Sequence, residues 1–459
     1  MENSIQPENE LAVKPIGGLV AKFAIPSVIS LTVTALYNIV DQIFIGNVIG
    51  YLGNGATNVV FPITALAHGL AMLLGCGCAA YMNLNMGKGN NKEADKGVGN
   101  TIVSLILLAI ILPILCEIFI SPLLKIFGAT TANTQLAMDY GRIIIAGFPF
   151  VIMYSGLNQI IRSDGNPKMA MVSMLSGAIL NVILDAWFMY GLDWGIKGAA
   201  WATIIGQAVS FIISLVYIFK LKNVHLTKEC FKMKGSTIGR ICAIGVSSFI
   251  TQAEIVILTI VMNNVLVKYG AESIYGEDIP MTAMGIVMKV NSVLTNIIAG
   301  IAIGGQPIIS YNYGAKQYGR VEKTYRTCVI AAIIVSAVAF LGFQLIPEQI
   351  SGIFGNEGEL YTSFACKAFR IYLMFVILVA VVNVSGVFIQ SVGKPVKSSI
   401  ITLARQVVFQ CPAIVIFAVA GGVEAALWAG PVADAIAFII TMAFMIYEFK
   451  LIRRMSHEG

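Results

Sequence analysis

Charge is what this chain most lacks. Asp, Glu, Lys and Arg make up 12% of its 459 residues, where soluble domains carry about 25%. A chain so poor in charge cannot cover an ordinary water-soluble surface. Other absences narrow the field. There is no GxxxxGK[ST] loop through which ATP could drive the chain, and no HExxH pair. Cys76 and Cys78 form a CxC in GCGCAA, but no further ligands stand near them to complete a zinc shell. A membrane enzyme is therefore a poor reading, and neither catalytic residues nor a cofactor are expected. The opening MENSIQPENELAVKPIGG is acidic and polar and lacks the basic n-region of a cleaved signal peptide.

What is present is hydrocarbon. The composition is 57% hydrophobic and the mean hydropathy is +0.83. Apolar runs long enough to cross about 30 Å of bilayer recur at about 20–45, 57–82, 98–121, 139–161, 166–190, 196–221, 238–266, 281–306, 326–347, 367–390, 397–419 and 424–449. Strands of an outer-membrane barrel would instead be about ten residues long and alternating. The expected fold class is an all-α polytopic membrane protein of twelve transmembrane helices. The net charge of +6 is no nucleic-acid signal. With the amino terminus inside, most Lys and Arg fall in cytoplasmic segments, Arg162 and Arg405 counted among them, and Lys289 falls within a span. That bias predicts both termini in the cytoplasm.

The chain also repeats itself. NLNMGKGNNKEADKG from Asn83 resembles SYNYGAKQYGRVEKT from Ser310, pairing Gly87 with Gly314 at an offset of 227. GIKGAAWA and GVEAALWA pair Trp201 with Trp428 at the same offset, while SDGNPK and SVGKPVK pair Gly165 with Gly393 at 228. Such self-similarity marks a duplicated unit. It predicts two six-helix, pseudo-symmetric lobes related by an axis along the membrane normal, the arrangement of parallel-repeat transporters. The boundaries follow: a cytoplasmic tail (1–19), an N-lobe (20–221), a basic linker (222–237), a C-lobe (238–450) and a second tail (451–459).

Inside this hydrocarbon lie Asp41, Asp185, Glu254 and Asp434, with Lys289 as a lone cation. Intramembrane ionisable groups face protein or water and mark ion or substrate paths. Asn181 and Asp185 stand four apart on one helix face, as do Thr203 and Gln207 on the next span. Tyr37 and Asn38 precede Asp41 on its own face. Two carboxylates, an amide oxygen and a hydroxyl are hard donors suited to a Na⁺-like cation, and the acids can equally take a proton. Glue between helices is the competing reading. Lys289 is the natural counter-charge for one acid, Asp434 has no evident partner, His68 could relay protons or simply pack, and Pro26 should bend the first span.

These residues resemble a known family. AIPSVISLTVTALYNIVDQIFIG, NLNMGKGN after the second span and IRSDGNPK after the fourth are similar to the multidrug and toxic compound extrusion family, over about residues 17–450. The resemblance implies a V-shaped antiporter that exports organic cations and other drugs against H⁺ or Na⁺. It also implies a first-lobe cation site at Asp41, Asn181, Asp185 and Thr203, and a role for Glu254. The family's span-10 aspartate is missing here, with Asn383 near its place. Further implications are drugs and membrane lipid as partners, no nucleic acid, a functional monomer, and the bacterial cytoplasmic membrane as location. Three rivals remain. One is a flippase for a lipid-linked saccharide, which would need a cationic cavity where only Lys289 is expected. Another is a major-facilitator transporter, whose GxxADRxGRR loop is not matched. The third is a receptor or scaffold without transport.

Overall fold

The computed structural model describes residues 10–127, 129, 133–276, 278–352 and 358–458. Long helices dominate because apolar runs cannot leave backbone amides unpaired in hydrocarbon. In chain order they are α1 (Ile16–Ile49), α2 (Tyr51–Gly87), α3 (Asn91–Ile118), α4 (Thr134–Ala146 with Phe148–Ser163), α5 (Pro167–Ala186) and α6 (Gly195–Ile218). The second half supplies α7 (Gly235–Ala271), α8 (Asp278–Gly314), α9 (Tyr318–Leu345), α10 (Glu359–Tyr372 with Val376–Ser391), α11 (Pro395–Leu403, continued to Ala426) and α12 (Ala429–Glu458). Ten of these are long and apolar enough to cross a membrane, or twelve when the two broken helices each count as one.

The breaks obey the repeat. α4 bends by 50° and α10 by 49°. Left-handed glycines also recur at matched positions: Gly165 (φ 93°) with Gly393 (φ 75°), and Gly195 (φ 54°) with Gly422 (φ 73°). A residue with a Cβ is strained there, so the repeated glycines mark turns that both halves must make.

Each half has its own apolar core, but the first helix of each half crosses into the other. Ile16, Leu19, Phe23 and Ala24 of α1 pack among C-lobe residues, while Ile45 near its far end packs in the N-lobe. Reciprocally, Ile241 and Ile244 of α7 sit in the N-lobe core. The lobes are closest at the end that carries the termini. A Cβ on Gly245 would lie 1.8 Å from Leu73 O, and one on Gly304 would lie 2.5 Å from the Ala24 Cα. Gly87 and Gly314, paired by the repeat, face each other: a Cβ on Gly87 would lie 3.0 Å from the Gly314 Cα. Small residues permit this backbone-to-backbone seal.

Polar ties hold the same end. Asn312 Nδ2 and Arg320 Nη2 each donate to Leu11 O at 3.0 Å, fastening the amino-terminal segment to the C-lobe. In the linker, Asn100 Nδ2 donates to Cys230 O at 2.9 Å and Lys234 N donates to Asn100 Oδ1 at 2.7 Å. Asp164, in the turn after α4, accepts from Lys222 N and Asn223 N at 2.8 Å each and from Tyr217 Oη at 3.2 Å. Burial pushes its carboxyl above the ordinary range, and these donors pull it partly back.

Candidate functional site

The N-lobe site is built by a close helix pair. A Cβ on Gly177 of α5 would meet Ser210 Oγ at 2.1 Å and Gly206 O of α6 at 2.5 Å; one on Gly206 would meet Gly177 O at 2.6 Å. The contact is stitched by Ser173 Oγ donating to Ser210 O at 2.7 Å and Ser210 Oγ returning to Ser173 O at 2.9 Å. One turn beyond Gly177 on α5, and one turn before Gly206 on α6, stand Asn181 and Thr203. Asn181 Nδ2 donates to Thr203 Oγ1 across a long 3.4 Å bond. Tyr37, Asn181, Thr203 and Gln207 line one crevice with about 320 Å³ of empty space, partly continuous with solvent.

One further turn along α5 is Asp185, fully buried, with Asn181 only 2% exposed. α1 brings Asp41 against Asp185, close enough for a single proton to bridge the two carboxyls. As carboxylates they can only accept. Asp41 Oδ1, both Asp185 oxygens and Asn181 Oδ1 are buried without a hydrogen-bond partner. Orphaned acceptors in a dry site are costly, and a bridging proton or a bound cation would satisfy them. A π-helical turn, Trp187–Gly191, follows directly after α5. Such turns are frequent at functional sites.

The structure therefore brings together Asp41, Asn181, Asp185, Thr203, Tyr37 and Gln207. Asn38 is exposed and, like Asp41 and Asp185, does not line the crevice itself. Two tyrosines were missed. Tyr140 of α4 lies within electrostatic reach of Asp41 and Asp185, and Tyr154 lines both the crevice and the larger central cavity. A tyrosine inside an apolar run carries no signal that singles it out.

That cavity holds about 1520 Å³ of empty space, partly continuous with solvent, and is lined from both lobes. Its walls include His68, Met72, Gln159 and Arg162 from one half and Ser247, Glu254, Asn383 and Arg405 from the other. His68 Nδ1 pairs with Ser155 Oγ at 3.2 Å. Here the charge bookkeeping of the sequence needs correcting. Lys289 is exposed and makes no ion pair with any described acid, so it is no counter-charge. That role falls to Arg405, carried inward by a second π-helical turn, Ala404–Gln410. Arg405 Nη1 lies 3.6 Å from Asp434 Oδ1, so Asp434 does have a partner. With its amide assigned by its surroundings, Gln406 donates to Glu254 Oε2 at 3.2 Å and accepts from Arg405 Nη2 at 2.7 Å. Arg162 is likewise no surface charge: it is 2% exposed and lines the cavity.

Comparison with known proteins agrees with this architecture. The chain matches the family model described as MatE over residues 26–187 and 248–416, one stretch from each lobe, as the repeat requires. It is similar to the multidrug export protein MepA of Staphylococcus aureus, 22% identical over 429 residues and covering 93% of both chains. The MepA protein of Staphylococcus saprophyticus is similar at 22% over 425 residues, covering 92% of this chain and 91% of its own. Among solved structures, a MOP superfamily transporter from Pyrococcus furiosus superposes with a TM-score of 0.90 at 22% identity, covering 97% and 98% of the two chains. An outward-facing multidrug resistance MATE transporter gives 0.89 at 22%, covering 96% and 98%. Matched by the family's own model over most of its length, and folded into the same two-lobed bundle, the chain belongs to the multidrug and toxic compound extrusion family of transporters.

Proposed function

We propose that this protein is a multidrug efflux antiporter of a bacterial cytoplasmic membrane, acting as a monomer with both termini inside. It exports organic cations and other toxic amphiphiles, driven by H⁺ or Na⁺ entering through Asp41, Asn181, Asp185 and Thr203. One observation carries the reading: Asp41, Asn181 and Asp185 hold buried, partnerless oxygens, and Asn181 lines a crevice that shares Tyr154, Thr34 and Met174 with the central cavity. In this orientation the inter-lobe seal is cytoplasmic and the cavity opens outward. A cation binding at the acids changes the charge of the crevice and hence the packing of α1 against α5. Drug and cation are then coupled because they favour different states, and the coupling is reciprocal.

Drug efflux from everted vesicles, driven in turn by a pH gradient and a Na⁺ gradient, tests this. Asp41→Asn should abolish gradient-driven ethidium export while the protein still inserts; undiminished export by that variant would sink the proposal. A flippase for a lipid-linked saccharide is the second reading, and Arg162 and Arg405 in the cavity wall favour it more than the sequence did. Against it, Arg405 is paired with Asp434 and bridged towards Glu254, which leaves one free cation among the described cavity residues rather than a basic lining. Ethidium export would decide against the flippase.

A further inference from the structure

The repeat carries one more correspondence, between two ion pairs. Lys197 Nζ lies 3.3 Å from Asp139 Oδ2 in the first half, and Lys367 Nζ lies 2.8 Å from Glu424 Oε1 in the second. The pairs are equivalent. Asp139 and Lys367 stand 228 residues apart, and Lys197 and Glu424 stand 227 apart. The inner segments of the two broken helices, Phe148–Ser163 and Val376–Ser391, keep the offset of 228 at both ends. Yet the signs are exchanged. The first half puts the acid on the broken helix and the base just after the left-handed Gly195; the second half puts the base on the broken helix and the acid just after Gly422. Halves that differ at both positions and still attract have kept the pairing, not either residue.

All four side chains are partly exposed, and exposed ion pairs contribute little to stability. Position is the better reason to keep one. The outer segment of α4, Thr134–Ala146, is bent by 50° from the inner one and meets α6 at two points. At the bend, a Cβ on Gly147 would lie 2.5 Å from Ile204 Cγ1, beside Thr203. Eight residues further out, about 12 Å along the helix, the Asp139–Lys197 pair closes the same contact. Tyr140 stands between these points and lies within electrostatic reach of Asp41 and Asp185. The C-lobe repeats the geometry: a Cβ on Gly430, the equivalent of Thr203, would lie 2.9 Å from Tyr372 Cδ2, five residues along from Lys367. There, however, Arg405 already answers Asp434.

We propose that Asp139 and Lys197 are positioning residues: their ion pair clasps the outer segment of α4 to α6 and so holds the spacing of Thr203, Asp41 and Asp185 around the coupling cation. The proposal rests on the cation-site reading above and deepens it.

The test is cation binding by purified full-length protein in detergent, titrated with Na⁺ and, separately, with protons in Na⁺-free buffer. The readout is intrinsic tryptophan fluorescence, since Trp187 stands two residues beyond Asp185. Lys197→Glu is the decisive variant. Its added negative charge would by field alone tighten cation binding, whereas an opened clasp weakens it. We expect the half-saturating cation concentration to rise about threefold, the size of effect an exposed ion pair supplies. Asp139→Lys should raise it likewise. Asp139→Lys combined with Lys197→Glu, which gives the N-lobe the polarity of the C-lobe, should restore the wild-type value. Unchanged or tighter binding in Lys197→Glu would overturn the proposal, as would a double reversal no better than the single ones. Lys367→Glu breaks the C-lobe pair and should leave the midpoint in place; an equal shift there would mean general loosening and overturn the proposal too. A wild type that answers neither ion would bring down the cation-site reading and the positioning role with it. A wild-type response that neither N-lobe reversal moves would bring down the positioning role alone.

Discussion

At the scale of the residue, the two lobes treat buried acids in opposite ways. In the C-lobe Arg405 answers Asp434, and Gln406 joins Arg405 to Glu254. In the N-lobe no cation answers Asp41 and Asp185 among the described residues. Removing one member of a buried pair costs about 3–5 kcal/mol, because it strands the other. Arg405→Leu should therefore lower the melting temperature in detergent sharply, and adding Asp434→Leu should recover part of the loss. In the N-lobe the same logic applies to function. Thr203→Val keeps the shape but removes the hydroxyl proposed above as a cation ligand and the acceptor for Asn181. We expect gradient-driven export to need about tenfold more coupling cation, the worth of one neutral hydrogen bond or ligand, measured as a shifted concentration dependence in vesicles. Asp164→Ala belongs here as well. It leaves the amides of Lys222 and Asn223 without their acceptor, for a loss of about 2 kcal/mol read as a lower melting temperature.

At the scale of the element, the site depends on how closely α5 and α6 approach. Gly177 and Gly206 set that distance, and the serine bonds of Ser173 and Ser210 fix the register. Gly177→Val would push against Ser210 Oγ and the Gly206 carbonyl and part Asn181 from Thr203. We expect export to fall about tenfold or more, by the loss of geometry rather than of any ligand, in a protein that still inserts. A variant that exported normally would show that the helix contact does not set the site. The helical-face argument reached Asn181, Asp185, Thr203 and Gln207 because straight helices obey a 3.6-residue period. It said nothing of Arg405, which the count of charges along the chain put in the cytoplasm and which the π-helical turn Ala404–Gln410 carries inward.

At the scale of the whole molecule, the crossing of α1 and α7 into opposite cores makes the seal. Any opening at that end must separate Gly304 from Ala24 and Gly245 from Leu73. Gly304→Val should prop the seal apart, since its side chain would run into the Ala24 backbone. Cys76, which lines the cavity, should then react with a membrane-impermeant maleimide added from the face bearing the termini. Protection of Cys76 in that variant, with Cys76→Ser as the control for other cysteines, would show the seal intact. The repeat foretold this architecture well: Gly87 and Gly314 were paired as equivalents in sequence and meet face to face in space.

Composition determined the twelve spans and the internal repeat the two lobes, because hydrocarbon punishes unpaired backbone and charge wherever they fall; helical faces and the family resemblance together suggested grouping Asp41 with Asn181, Asp185 and Thr203. Charge counted along the chain could not tell a cytoplasmic arginine from a buried one. Arg162 and Arg405 each stand a few residues from a helix end or a turn, and a difference of one helical turn decides between water and protein. Only the tertiary structure settled that Lys289 is exposed and pairs with no described acid, that Arg405 lies against Asp434, and that Arg162 faces the cavity unpaired. Those outcomes depend on which helices pack together, a non-local fact that no stretch of sequence contains.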